Sequence, residues 1–315
     1  MGCDVALMLA IATALALPAS GAPPDTAALD TAWLDRAWDF DRPAESEVRF
    51  RAELAALPPG SSARLELLTQ VARTQGLQRE FDAAHVTLDA VEQALPGSSE
   101  RVAIRYLLER GRVFNSARQS ERAVPLFRAA LERARAADED FLAIDAAHML
   151  GISAPADARL RWNLEALAMT EKTSDPRARR WLASLYNNIG WTYHERGDYP
   201  TALSYFDKAL PAWEARGDAH GVFIARWTIA RAYRSLGRYD EALQIQRQLA
   251  SEAAAANAPD GYVYEELGEL LLAKGEAAAA QPNFARAFEL LGADAGLQAN
   301  EPERLARLRR MGGRE

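Results

Sequence analysis

The stretch Tyr186-Asn187-Asn188-Ile189-Gly190-Trp191-Thr192-Tyr193, continued by Gly197, Tyr199, Ala202, Phe206 and Ala209, decides the reading of this chain. Its apolar positions recur every three or four residues, the period of a helix with one buried stripe, and Gly197 divides it into two such helices. The small residues Gly190 and Ala202 stand twelve apart, each with bulky neighbours one turn away. A small residue on each of two antiparallel helices lets their backbones approach, while larger side chains fill the space around the crossing.

The same arrangement recurs in both directions. Small residues fall at Ala72, Gly111, Ala147, Gly190, Ala230 and Gly268, at successive intervals of 39, 36, 43, 40 and 38 residues. Twelve positions beyond five of them come Ala84, Ala123, Ala202, Ala242 and Ala280, and Leu88, Phe127, Phe206 and Phe284 stand four further on. Gly237-Arg238-Tyr239 and Gly275-Glu276 repeat the turn at Gly197-Asp198-Tyr199. A constant offset needs a constant geometry, so the spacing predicts six helical pairs over roughly residues 61–294.

These residues resemble the tetratricopeptide repeat, whose signature is a bulky residue, then Leu-Gly or Ile-Ala, then Tyr, Ala and Phe. The unit at Tyr186 to Ala209 carries the likeness best, and Ile229-Ala230, Tyr233, Gly237, Tyr239 and Ala242 follow closely. The resemblance implies an all-α, right-handed α-solenoid of about six helix-turn-helix repeats with helical caps, whose inner helices line a concave surface. Two departures stand out. The period exceeds the family's roughly 34 residues, and the third unit has Arg159 and Asn163 where a small residue and an aromatic are expected. Either Trp162 and the arginine stem fill that gap, or the unit widens into a pocket. The first unit has Gln75 where an aromatic usually packs.

The chain divides into 1–21, a leader; 22–60, an N-terminal helical cap with Trp33, Trp38, Phe40 and Phe50; 61–294, the array; and 295–315, a capping helix and tail. Arg304, Arg307, Arg309, Arg310 and Arg314 near the end are expected to form a solvated capping face. Residues 5–17 are an uncharged run of 13, suited to a signal-peptide core and too short to span a bilayer. Cleavage near Ala19-Ser20-Gly21 would leave a periplasmic or secreted protein with no stable membrane span. The flank has Asp4 and no basic residue, so a misplaced start codon and a cytoplasmic protein form the alternative.

Composition narrows the function. The 315 residues are 49% apolar and 26% charged with a net charge of -7, the balance of a folded chain with no general attraction to nucleic acid or anionic lipid. Cys3 is the only cysteine, and His85, His148, His194 and His220 form no pair at helical metal-site spacing, so neither a metal nor a cofactor is expected. Asp145 with His148, and His194 with Glu195, have no nucleophile elbow or phosphate loop beside them, which argues against an enzyme.

In the repeat register, positions three and two before the first small residue, and one and four after it, face the inner wall. They include Arg112, Asn115, His148, Asn187, Asn188, Trp191, His194, Trp227, Arg231 and Arg234. Asn187 and Asn188 resemble the paired asparagines that hold a ligand backbone in peptide-binding members of the family, an amide both donating and accepting. Arg231 and Arg234 could grip a carboxylate, and Trp191 and Trp227 offer flat apolar surface. The same residues also allow a structural reading: asparagines stitching neighbouring repeats, tryptophans packed between helices, arginines paired with Glu265 and Glu269. The expected function is a non-catalytic scaffold or adaptor of the cell envelope, binding a protein or peptide segment of acidic character in the concave groove. A glycan-binding module, or a self-assembling architectural repeat, is the alternative.

Overall fold

The computed structural model describes residues 29–313, and these contain helices and turns but no strand. The leader, Cys3 and Arg314 lie outside the described residues. Two helices open the described chain, α1 (Thr31–Ala37) and α2 (Pro43–Leu54). Six antiparallel pairs follow: α3 (Ser62–Leu77) with α4 (Phe81–Ala94), α5 (Glu100–Ser116) with α6 (Ser120–Ala136), and α7 (Asp140–Ser153) with α8 (Ala156–Lys172). After a single extra turn, α9 (Pro176–Arg179), come α10 (Leu182–Glu195) with α11 (Tyr199–Ala215), α12 (Ala219–Ser235) with α13 (Tyr239–Ala255), and α14 (Gly261–Ala273) with α15 (Ala277–Leu291). The short α16 (Ala295–Asn300) and α17 (Pro302–Met311) close the array. These are the six helical pairs that the spacing predicts, in the all-α solenoid that the resemblance implies.

The helix crossings explain the period. A Cβ placed on Gly111 or Gly190 would lie 2.5 Å from the ring of Phe127 or Phe206, and one on Gly268 would lie 2.8 Å from Phe284. Each ring therefore lies flat against a backbone sixteen residues earlier, which only glycine permits in these three units. Ala72, Ala147 and Ala230 hold the corresponding place in the other three and are fully buried, as are Phe127, Phe206 and Phe284. Seven residues past each small residue the chain must reverse. Gly197, Gly237 and Gly275 do so at φ of 79°, 75° and 80°, where the second unit uses Arg118 at 61°. Asp198 then caps the next helix, its carboxylate accepting from Thr201 N at 3.2 Å.

The third unit departs from the others. Asn163 takes the aromatic position and donates from Nδ2 to the carbonyl of Gly151 at 3.2 Å. Trp162 is buried beside it, with the guanidiniums of Arg128 and Arg161 over its ring at 5.3 and 5.0 Å. Trp162 and Asn163 thus occupy the gap, with two guanidiniums over the indole. The long interval of this unit has another source, the turn α9, started by Asp175 accepting from Arg177 N at 2.8 Å. It lies between α8 and α10 in the chain and packs on α7 and α8.

At the ends, Leu34 and Phe50 bury against Leu67 and Val71, and Leu305 and Leu308 of α17 bury against α15. No helix among the described residues is long and apolar enough to cross a membrane.

Candidate functional site

The inner helices carry a ladder of polar contacts, each rung joining residues 32 to 41 apart, that is, neighbouring repeats. At the first rungs Glu66 receives Arg105 Nε at 3.0 Å and Arg101 Nε at 3.2 Å, and Arg101 reaches on to Glu139 at 2.8 Å. Arg112 donates to Glu109 at 2.7 Å and to Asp145 in the next unit. Burial alone would lower the Arg112 pKa and raise that of Asp145; the pull of Asp145 and Glu109 reverses the first shift, and that of Arg112 and Arg73 reverses the second.

Further along, Asn188 Nδ2 donates to His148 Nε2 at 3.0 Å, which places the imidazole proton on Nδ1. His148 is pushed down to about 4 by burial, with Arg112 and Arg73 reinforcing and Asp145 opposing, and is therefore neutral at pH 7. His194 is likewise lowered to about 4 by burial and by Arg231 and Arg234, and its Nε2 meets Ser235 Oγ at 2.9 Å. Arg231 donates to Ser235 Oγ at 2.8 Å and lies 3.2 Å from Glu266, and Arg234 grips Glu266 with two donors at 2.7 and 2.9 Å. The carboxylate joined by both arginines is Glu266, one residue from the expected Glu265; Glu269 is 4.0 Å from Arg234. The C-terminal arginines are not a purely solvated face. Arg304 turns inward onto Glu265 and Arg307 onto Glu269.

The aromatic and amide residues divide. Trp191 packs edge-on to Phe206 at 5.5 Å and stands 6.2 Å from Trp227, both half-buried, and Trp227 Nε1 is enclosed without an acceptor. Asn187 Oδ1 is enclosed without a donor, and Asn115 Oδ1 accepts from Ser120 Oγ at 3.3 Å. Trp191, His194, Trp227, Arg231 and Arg234 thus form one cluster on α10 and α12. Arg112 and His148 belong to a second, at α5 and α7, joined to the first helix by Asn188.

Beside that second cluster lies a cavity of about 350 Å³ that the inner-face register does not reveal. Its floor is Gln70 and Arg73 of α3, Arg105 of α5, and Phe141 and Asp145 of α7. Arg177, Arg180 and Trp181 around α9 form one side, and Trp213, Arg216 and Asp218 at the turn between α11 and α12 another. The N-terminal segment covers it through Leu34, Asp35, Trp38 and Phe40. Asp35 is gripped by Arg177 at 2.8 and 3.0 Å, and Trp38 Nε1 donates to Gln70 Oε1 at 3.2 Å. The signals in the sequence were the longest interval, 43 residues, and the arginines at 177, 179 and 180 beside Trp181. Among the described residues, no cluster of His, Cys, Asp or Glu could hold a metal ion.

Residues 181–251 match the tetratricopeptide-repeat family. No curated protein matches the chain by sequence. Among solved structures, the signal-transduction ATPase with a tetratricopeptide-repeat sensor from Pyrococcus horikoshii has a TM-score of 0.65 at 15% identity over 89% of this chain, which spans 43% of that one. The apo form of RapI scores 0.64 at 11% identity, covering 90% of this chain and 78% of its own. NprR in complex with its cognate peptide NprX scores 0.57 at 14% identity, covering 88% and 82%. At these identities the likeness is one of fold, and it agrees with the family match at α10 to α13 and with the crossings that recur along the chain. The chain therefore carries tetratricopeptide repeats at residues 181–251, within an all-α array of helical pairs whose fold is that of tetratricopeptide-repeat proteins.

Proposed function

We propose that this chain is a non-catalytic interaction scaffold that takes an acidic segment of another protein along the inner face of α10, α12 and α14. The observation that carries this reading is the sharing of one carboxylate by two guanidiniums: Arg231 and Arg234 both meet Glu266, while Glu265 and Glu269 are engaged by Arg304 and Arg307. The side chain of Arg231 is one quarter exposed, and its pKa is lowered by burial and by Arg234 despite Glu266. A further carboxylate here would relieve the repulsion between the two cations. Trp191 and Trp227 beside them supply apolar surface, and NprR, of similar fold, is a peptide-bound protein. The apolar run at residues 5–17 supports a place in the cell envelope after removal of residues 1–21.

A peptide-display selection against the full chain tests the binding. Enrichment of acidic sequences, lost in Arg231→Gln with unchanged melting temperature, is expected; no acidic enrichment, or enrichment indifferent to Arg231→Gln, would overturn the reading. The mass of the protein recovered from cell fractions tests export, since a full-length form confined to the cytoplasm contradicts it.

A further inference from the structure

The cavity beneath α1 is chemically unlike the rest of the inner face. Three of its arginines already lie over aromatic rings: Arg177 over Phe141 at 3.7 Å, Arg216 over Trp213 at 4.5 Å, and Arg73 over both Trp38 and Phe40 at 5.4 and 5.1 Å. The walls therefore offer flat apolar surface and guanidinium donors side by side. Lining residues also hold three enclosed donors without an acceptor, Arg105 Nη2, Arg216 Nε and Trp181 Nε1, and no enclosed acceptor without a donor. Arg105 is 4% exposed, so its unused donor is a buried group of the kind that ordinarily finds a partner.

Charge points the same way. Around α9 and the turn before α12, the carboxylates paired with Arg177, Arg180 and Arg216 among the described residues are Asp35 and Asp218, and the first of these comes from α1. The pKa of Arg105 is lowered by burial and by Arg101 and Arg177 against the pull of Glu66; that of Arg216 is lowered by burial and by Arg180. Cations held this way are stabilised by an incoming anion. A capacity of about 350 Å³ is at the small end of ligand cavities, which run from roughly 300 to 1,000 Å³. It suits one compact molecule better than a length of polypeptide.

The geometry points to a second binding site in this cavity for a small aromatic carboxylate, its ring against Trp181, Trp213 and Phe141 and its carboxylate among Arg105, Arg177 and Arg216, in competition with Asp35. This site goes beyond the groove at Arg231 and does not depend on it. Titration calorimetry on the full chain tests it, with 1-naphthoate as the probe, 1-naphthamide as its neutral counterpart and a capped Asp-Glu dipeptide as the acidic-segment control. Naphthoate is expected to bind, the amide at least about ten-fold more weakly, because a hydrogen bond to a charged group contributes that much. Arg216→Gln and Arg177→Gln should each weaken naphthoate by a similar factor, while Asp35→Asn, which removes the competing acid, should tighten it several-fold. Arg231→Gln should leave it unchanged. Equal binding of acid and amide, or no binding of naphthoate by the wild type and Asp35→Asn alike, overturns the site. Tighter binding of the dipeptide than of naphthoate overturns the assignment to an aromatic acid.

Discussion

Asp35 and Arg177 lie 142 residues apart in the chain and meet in a two-pronged ion pair, with Arg180 3.4 Å from the same carboxylate. Every rung of the inner-face ladder joins neighbouring repeats; this contact instead ties the N-terminal helix to the turn that precedes the fourth. Both partners are partly solvated, so the pair contributes only about 0–1 kcal/mol to global stability. Asp35→Asn should leave the melting temperature within a few degrees of wild type. Amide hydrogen exchange over residues 31–38, which this pair and Trp38 on Gln70 help the buried Leu34 to hold, should accelerate. Exchange unchanged in that segment would show that the apolar contacts of Leu34 hold the lid by themselves.

Gly190 and Phe206 give a direct test of the crossing geometry. Gly190→Ala drives a methyl into the Phe206 ring and should cost about 1–3 kcal/mol, read as a lower urea midpoint. Phe206→Leu in the same chain should recover part of the loss, because the two substitutions act on one contact. Additive losses would mean that the ring does not lie against the glycine.

Arg118 is exposed and holds a left-handed backbone at φ 61° where later units have glycine. Arg118→Gly removes that strain and should stabilise the chain by about 1 kcal/mol, the usual penalty for a side chain in this region. A thermal melt of the two proteins decides it.

Stability should also depend on pH through His148 and His194, whose folded pKa values near 4 lie below the ordinary 6.5. Between these values the unfolded chain binds more protons than the folded one, so stability rises with pH across the window. It is fully present above the unfolded value and is lost as pH falls towards 4. The double variant His148→Asn, His194→Asn should show a smaller drop in melting temperature than wild type between about pH 7 and about pH 5. An identical drop in both would place the histidines' titration at its ordinary value.

Much of the fold is legible because the helix crossings demand small residues at fixed offsets, and Gly111, Gly190 and Gly268 display that demand openly. The start of α17 at Pro302 has a similarly local cause, since proline fits the first turn of a helix. The inner wall was less so. Register told which side chains face inward, but not that Arg231 and Arg234 would converge on Glu266 rather than Glu265, since that choice depends on how one repeat is rotated against the next. The cavity was least visible. The interval of 43 residues announced extra chain between Ala147 and Gly190, yet nothing in the spacing tied Asp35, one acid among many, to an arginine in that insertion.

The Asp35 contact also sets an order of events. Repeats built from adjacent helices can assemble as they emerge from the ribosome or an export channel, each needing only its predecessor. Helix α1, the first of the described helices to emerge, can pack on α2 and α3 early, but its ion pair cannot form until residue 177 has followed and three repeats have formed, because closing so long a span precedes any gain from the contact. The earliest-made of the described helices thus waits for the first three repeats before its pairing is complete, and the fluorescence of Trp38 becomes a clock for that stage of assembly.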